Sequence, residues 1–166
     1  MEQNNVKKIV YGAFMMALIT VGTMVIQIPT PATKGYINVG DSFIFLSSTL
    51  FGPVMGLITG GIGSALADLL SGYAYWSPWT FIIKGVEGLF VGLMYKKYSN
   101  EYLKIASLAI GALWMVFGYY IAGGIMYGFK TSLVDVPSNL VQGFASIIIG
   151  YILIRLISRL EVFKKV

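Results

Sequence analysis

Residues 42–70 read SFIFLSSTLFGPVMGLITGGIGSALADLL, an apolar run broken once, at Gly52-Pro53. Proline lacks the backbone N–H that a helix interior uses, and its ring clashes with the preceding turn. The run is therefore either one long kinked helix or a hairpin of two shorter ones. The part before the break, 42–51, is too short to cross about 30 Å of hydrocarbon comfortably, whereas 54–70 is just long enough. The choice sets the parity of the chain, and so the side of the membrane on which each later loop falls.

Charge decides between the two. Four further apolar runs flank this one, giving stretches at 9–28, 42–51, 54–70, 78–95, 102–127 and 137–157. With six spans and a cytoplasmic N-terminus, Lys7, Lys8, Lys96, Lys97, Lys104, Arg155, Arg159, Lys164 and Lys165 all fall inside, and only Lys34, Lys84 and Lys130 lie elsewhere. Five spans would place the 96–104 loop and the C-terminal cluster on opposite sides, against the bias of Lys and Arg toward the cytoplasm. The pattern predicts an all-α integral membrane protein, a six-transmembrane-helix bundle with both termini cytoplasmic, in which residues 1–166 form a single membrane domain.

Composition supports this. Hydrophobic residues make up 57% of the chain and charged residues 11%, the latter far below the roughly 25% typical of soluble domains. The net charge of +5 is gathered in short clusters between apolar runs, which fits membrane orientation and not a nucleic-acid face. The chain has no cysteine and no histidine, which excludes disulfides, thiol and imidazole catalysis and the commonest transition-metal ligands. No catalytic residue and no metal site is expected. The first apolar run leads into a proline-rich loop and reads as a retained helix, not a cleaved signal. No Gly-rich loop ending in Lys-Ser/Thr is present, so the chain carries no ATP site of its own and any active transport borrows its energy from partners.

Six spans put residues 29–40, 71–77 and 128–136 outside. These loops hold Pro, Gly, Tyr, Trp and Asn where the inside loops hold Lys and Arg. Tyr36, Tyr73, Tyr75, Trp76 and Trp79 suit either an interfacial aromatic belt or a lid whose flat rings stack on a heteroaromatic ligand. Four ionisable residues interrupt or border the helices: Asp41, Asp68, Lys84 and Glu87. A charge in hydrocarbon costs at least about 2.5 kcal/mol, so each must face the bundle interior, a partner or a wet cavity. Asp41 suits a helix N-cap as well as a ligand. Lys84 and Glu87 can pair at i, i+3, and Asp68 is an alternative partner for Lys84. The last helix opens at Val136-Pro137, with Asn139 and Gln142 on one face above Gly143 and Ser146. These carboxamides serve either a ligand or a neighbouring helix. Trp114, deep in its helix, reads as packing. Ala13 and Ala17 lie one turn apart on the first helix and leave a flat strip for close approach by another helix. The glycines of the third helix, Gly56, Gly60, Gly61 and Gly63, read as internal packing.

Four stretches carry a family resemblance: GYINVGD at 35–41, LFGP at 50–53, GSALADLLSGY at 63–73 and WTFIIKG at 79–85. Together they resemble the substrate-binding S components of energy-coupling factor (ECF) vitamin transporters. They are most similar to the branch for hydroxymethylpyrimidine or pyridoxine. IPTP at 28–31 and SPW at 77–79 are shared with a riboflavin branch. The resemblance implies a multi-pass protein of the bacterial cytoplasmic membrane that captures a small heteroaromatic vitamin or precursor on its extracytoplasmic side. It implies docking through Ala13 and Ala17 on a transmembrane coupling subunit, with two ATPase subunits beneath. It also implies that Tyr36, Asn38, Asp68, Tyr73, Trp76, Trp79, Lys84, Asn139 and Gln142 surround the substrate. A stand-alone carrier or channel using Asp68, Lys84 and Glu87 as a proton relay is the rival from another class.

Overall fold

The computed structural model describes residues 2–159. Lys164 and Lys165 of the C-terminal basic cluster lie outside the described residues. Six helices and one short β-ribbon follow in order: α1 (Glu2–Val25), β1 (Gln27–Thr30), β2 (Gly35–Asn38), α2 (Asp41–Phe51), α3 (Pro53–Leu70), α4 (Ser77–Lys97), α5 (Glu101–Tyr127) and α6 (Phe129–Ile157).

The break at Gly52-Pro53 divides two helices. Gly52 takes φ 91°, a left-handed conformation that glycine adopts without a Cβ penalty. Pro53 then occupies the first turn of α3, where its missing N–H costs nothing. Helix α2 has 11 residues and so rises only about 16 Å, roughly half the thickness of a bilayer core. Four helical stretches are long and apolar enough to cross a membrane: Val6–Val25, Pro53–Leu70, Glu101–Tyr127 and Phe129–Ile157. Helix α4, at 21 residues, has the length, but Lys84, Glu87, Lys96 and Lys97 lower its hydropathy.

Two expected boundaries differ. Residues 29–40, expected to be an open loop, form most of an antiparallel hairpin in which Gln27 faces Asn38 and Thr30 faces Gly35. Its Pro and Gly residues hide the alternation by which strands are usually read. The last helix begins at Phe129, not at Pro137, so the expected outer loop at 128–136 is mostly helical. Pro137 removes one bond, to the carbonyl of Leu133, and the helix runs through it. Tertiary contacts outweigh that loss: the Ser132 hydroxyl donates to the Tyr120 carbonyl at 2.8 Å, and Thr33 donates to the Asp135 carboxylate.

The closest helix pair is α3 with α4. A Cβ placed on Gly60 would sit 2.7 Å from the Lys84 carbonyl oxygen and 3.1 Å from Ile44 Cγ2, so glycine is what lets α3 lie against both α4 and α2. The third-helix glycines are thus internal packing, as their pattern suggested. One apolar core joins Met15, Phe45, Leu46, Val91, Leu108, Ala112 and Ile154. A second, around Trp76, Ile83, Met115, Val116 and Ala122, lies next to the hairpin end of the bundle. Phe144 is 68% exposed while Glu87 is 0% exposed. Such an outside is more apolar than a water-soluble fold tolerates. Lipid in place of water accounts for both residues.

Candidate functional site

Helical periodicity sets three polar strips facing one another. Ser64 and Asp68 are one turn apart on α3. Trp76, Thr80 and Lys84 descend one face from the turn before α4 into that helix. Ser132, Asp135 and Asn139 do the same on α6. Thr23 from the end of α1 and Tyr119 from α5 complete the wall. The hairpin covers it with Thr30, Thr33, Gly35, Tyr36 and Asn38. These residues line one cavity with about 520 Å³ of unfilled space, counting the part open to solvent.

Its floor is ionic. The Lys84 ammonium contacts Asp41 directly and lies 3.4 Å from Glu87 Oε2, all three being essentially inaccessible. Removing such groups from water is tolerable only because opposite charges meet, since neither Glu87 oxygen has a hydrogen-bond partner among the described residues. Gln142 makes two hydrogen bonds, one of them to the ionic set: its Nε2 donates to Asp41 Oδ2 and its Oε1 accepts from the Asn38 backbone N–H, both at 2.8 Å. A carboxylate can only accept and a backbone N–H can only donate, so the orientation of this amide is fixed. One side chain thereby ties the floor to the hairpin. The i, i+3 pairing of Lys84 with Glu87 is present. Asp41 makes no side-chain cap and is instead an ion-pair partner. Asp68 is bonded to Tyr36 and forms no ion pair with Lys84 among the described residues, so Asp68, Lys84 and Glu87 do not make a continuous relay.

The roof is aromatic and hydroxylic. The Tyr36 hydroxyl donates to Asp68 Oδ1 at 2.6 Å, and its ring packs 4.6 Å from that of Tyr73. Burial, and then the neighbouring Asp68 carboxylate, raise the pKa of the Tyr36 phenol, which keeps it a neutral donor. Tyr75 donates to the Lys34 carbonyl at 2.5 Å, and Gln27 Nε2 donates to Ser71 Oγ at 3.0 Å, which anchors the hairpin to the 71–76 turn. Trp76 stands edge-on to Tyr119 with centroids 5.6 Å apart.

Six of the nine expected site residues line the cavity: Tyr36, Asn38, Asp68, Trp76, Lys84 and Asn139. Three do not. Tyr73 backs Tyr36, Trp79 packs against the second apolar core, and Gln142 lies a turn beyond Asn139, where it ties Asp41 to β2. Trp114 is packing, its indole N–H donating to the Ile83 carbonyl at 3.1 Å. Sequence reading missed Thr23, Thr30, Thr33, Ser64, Thr80, Tyr119, Ser132 and Asp135. For four of these a signal existed in the helical period. Ser64 precedes Asp68 by one turn, Thr80 lies midway between Trp76 and Lys84, and Ser132 and Asp135 lie two turns and one turn before Asn139.

Four buried polar atoms around this cavity find no hydrogen-bond partner among the described residues: Thr23 Oγ1, Ser64 Oγ, Asp68 Oδ2 and Trp76 Nε1. Buried polar groups are nearly always satisfied, so a convergent set of open ones on one cavity is the mark of a site that takes a polar guest. Fold and cavity together define a polytopic membrane protein with a partly open polar cavity at one end of a six-helix bundle.

Comparison with known proteins gives the class a family. Residues 3–159 match the family described as "ECF-type riboflavin transporter, S component", and the chain belongs to it. The thiamine precursor transporter HmpT of Lactococcus lactis is 32% identical over 161 residues, covering 96% of this chain and 90% of HmpT. An uncharacterized protein of Pyrococcus woesei is 41% identical over 132 residues, 80% of this chain and 88% of its own length. A solved S component of a bacterial ECF transporter shares the fold, with a TM-score of 0.77 at 20% identity over 93% of this chain and 96% of that one. The expected family membership is borne out: this is a multi-pass plasma-membrane transport protein of the vitamin-uptake class, not a member of an enzyme family.

Proposed function

We propose that this chain is the substrate-capture subunit of an ATP-driven ECF importer, and that its substrate is hydroxymethylpyrimidine, the thiamine precursor. The observation that carries the reading is the convergence of four unpartnered buried polar atoms on one aromatic-walled cavity. A ring of vitamin size with several polar substituents matches that demand, and the name of the Lactococcus relative points to the same chemistry. In this reading the chain is one membrane domain with six spans and both termini in the cytoplasm, and the hairpin end faces outward. Tyr36, Asn38, Asp68, Trp76, Lys84 and Asn139 contact the substrate, while Tyr73, Trp79 and Gln142 support them. Ala13 and Ala17, both exposed on α1, dock on a transmembrane coupling subunit carried by two ATPases. No cofactor is held by this chain.

Riboflavin is the second reading, favoured by the description of the matching family. One experiment separates the two. Protein extracted in mild detergent is denatured, and any released small molecule is identified by mass spectrometry. An aminopyrimidine mass supports the first reading; an isoalloxazine, with its visible absorbance, replaces it with the second.

A further inference from the structure

Asp68 is 3% exposed, and its two oxygens differ: Oδ1 accepts the Tyr36 hydroxyl at 2.6 Å, while Oδ2 receives no hydrogen bond of good geometry among the described residues, the neighbouring Thr80 hydroxyl being engaged with Tyr119 at 3.1 Å. A carboxylate only accepts hydrogen bonds, so Oδ2 needs an N–H or O–H. The protein offers no spare cation there. Among the described residues Lys84 is the one cation lining the cavity, and Asp41 and Glu87 already engage it. Trp76 poses the opposite demand. Its indole Nε1–H, on a residue 5% exposed, has no acceptor among the described residues, and an indole N–H can only donate. Gly35 lies beside it: a Cβ there would sit 3.5 Å from Nε1, in ordinary van der Waals contact.

Building on the hydroxymethylpyrimidine reading, we infer that Asp68 is the residue that selects for the exocyclic amino group of the ring, and that Trp76 takes a ring nitrogen. The amino group is the ligand's strong donor and its ring nitrogens are pure acceptors, which pairs one with Oδ2 and the other with Nε1–H. The hydroxyls of Thr23 and Ser64 can both donate and accept, and they serve the hydroxymethyl arm. A ligand without the amino group leaves a buried carboxylate oxygen unpaired, the kind of mismatch that discriminates by orders of magnitude.

The test is a cycle between ligand and protein. Binding of hydroxymethylpyrimidine, and of an analogue with methyl in place of the amino group, is measured by titration calorimetry on the full-length detergent-purified protein. The same is done for D68N and W76F. Asn keeps an oxygen for Tyr36, and Phe keeps a ring against Tyr119, so both variants are expected to fold, which a thermal melt confirms. Wild type should bind the methyl analogue about 100-fold more weakly than the parent, and D68N should cut that penalty below about 10-fold. W76F should weaken both ligands about equally and leave the penalty at its wild-type value. An equal amino penalty in wild type and D68N overturns the assignment of Asp68, and unchanged affinity in W76F overturns that of Trp76. A wild-type protein that binds riboflavin and not hydroxymethylpyrimidine overturns the substrate reading itself, a different result from a lost cycle.

Discussion

Lys84 is the single cation beneath the cavity among the described residues, and the two carboxylates around it are as deeply buried as it is. Removing one member of such a set leaves uncompensated charge, which typically costs about 3–5 kcal/mol. Lys84→Met should therefore lower the thermal midpoint of the detergent-solubilised protein by several degrees. The triple variant D41N/K84M/E87Q should recover at least half of that loss, because no net charge is then left in the apolar interior. A K84M protein that melts with wild type would show that water reaches the floor and that the pairing carries little weight. At this scale the sequence was legible where partners are near in the chain and silent where they are not. Glu87 is one helical turn from Lys84, so the pair was readable. Asp41 is 43 residues away, and nothing in a local pattern could choose it over Asp68. Gln142 was picked out as polar at membrane depth, but its tie to Asp41 spans 101 residues and needed the fold.

Elements were read well where apolar length and a strong breaker coincide. Gly52-Pro53 divides α2 from α3 because one residue supplies left-handed backbone and the next can begin a helix but cannot sit in its middle. Pro137 carries the same residue type and was misread, since contacts from Ser132 and Asp135 hold the preceding two turns helical. The ribbon escaped notice because a strand pair of four residues each, with Pro29 in one and Gly35 in the other, has no useful period. The α3–α4 contact can be tested directly. Gly60→Val puts a branched side chain into the Lys84 carbonyl, and overpacking of this kind costs about 1–3 kcal/mol. Because the backbone displaced is that of Lys84 itself, ligand affinity should fall about 10-fold along with stability. Ile62→Val, a change on the exposed side of the same helix, should alter neither. Circular-dichroism melts and ligand titration on the two variants check this, and equal behaviour would mean that the helices are not held at glycine contact.

On the scale of the whole molecule, the division of labour lies along the bundle axis and around it. The cavity is gathered at the hairpin end, while α1 turns Phe14, Val21, Ala13 and Ala17 outward and buries Met15, Ile19 and Thr20 against its neighbours. Ala13 and Ala17 are thus remote in role from the polar strips on α3, α4 and α6, and neither is among the residues lining the cavity. Small residues one turn apart on a lipid-facing helix let another helix approach closely, and bulky side chains there push it away. In the reading proposed above, that helix belongs to the coupling subunit. Replacing both alanines with Leu should cut ATP-driven uptake in cells at least about 10-fold, yet leave the affinity of the isolated protein for its ligand within about 2-fold of wild type, since the substituted side chains point into lipid. Uptake assays on the double variant and titration on the purified protein give the two numbers independently. If both fall together, the alanine face supports the fold and not a partner, and the coupling surface must be sought on another helix. If neither changes, α1 takes no part in docking, and Ala13 and Ala17 are merely tolerated by the lipid around them.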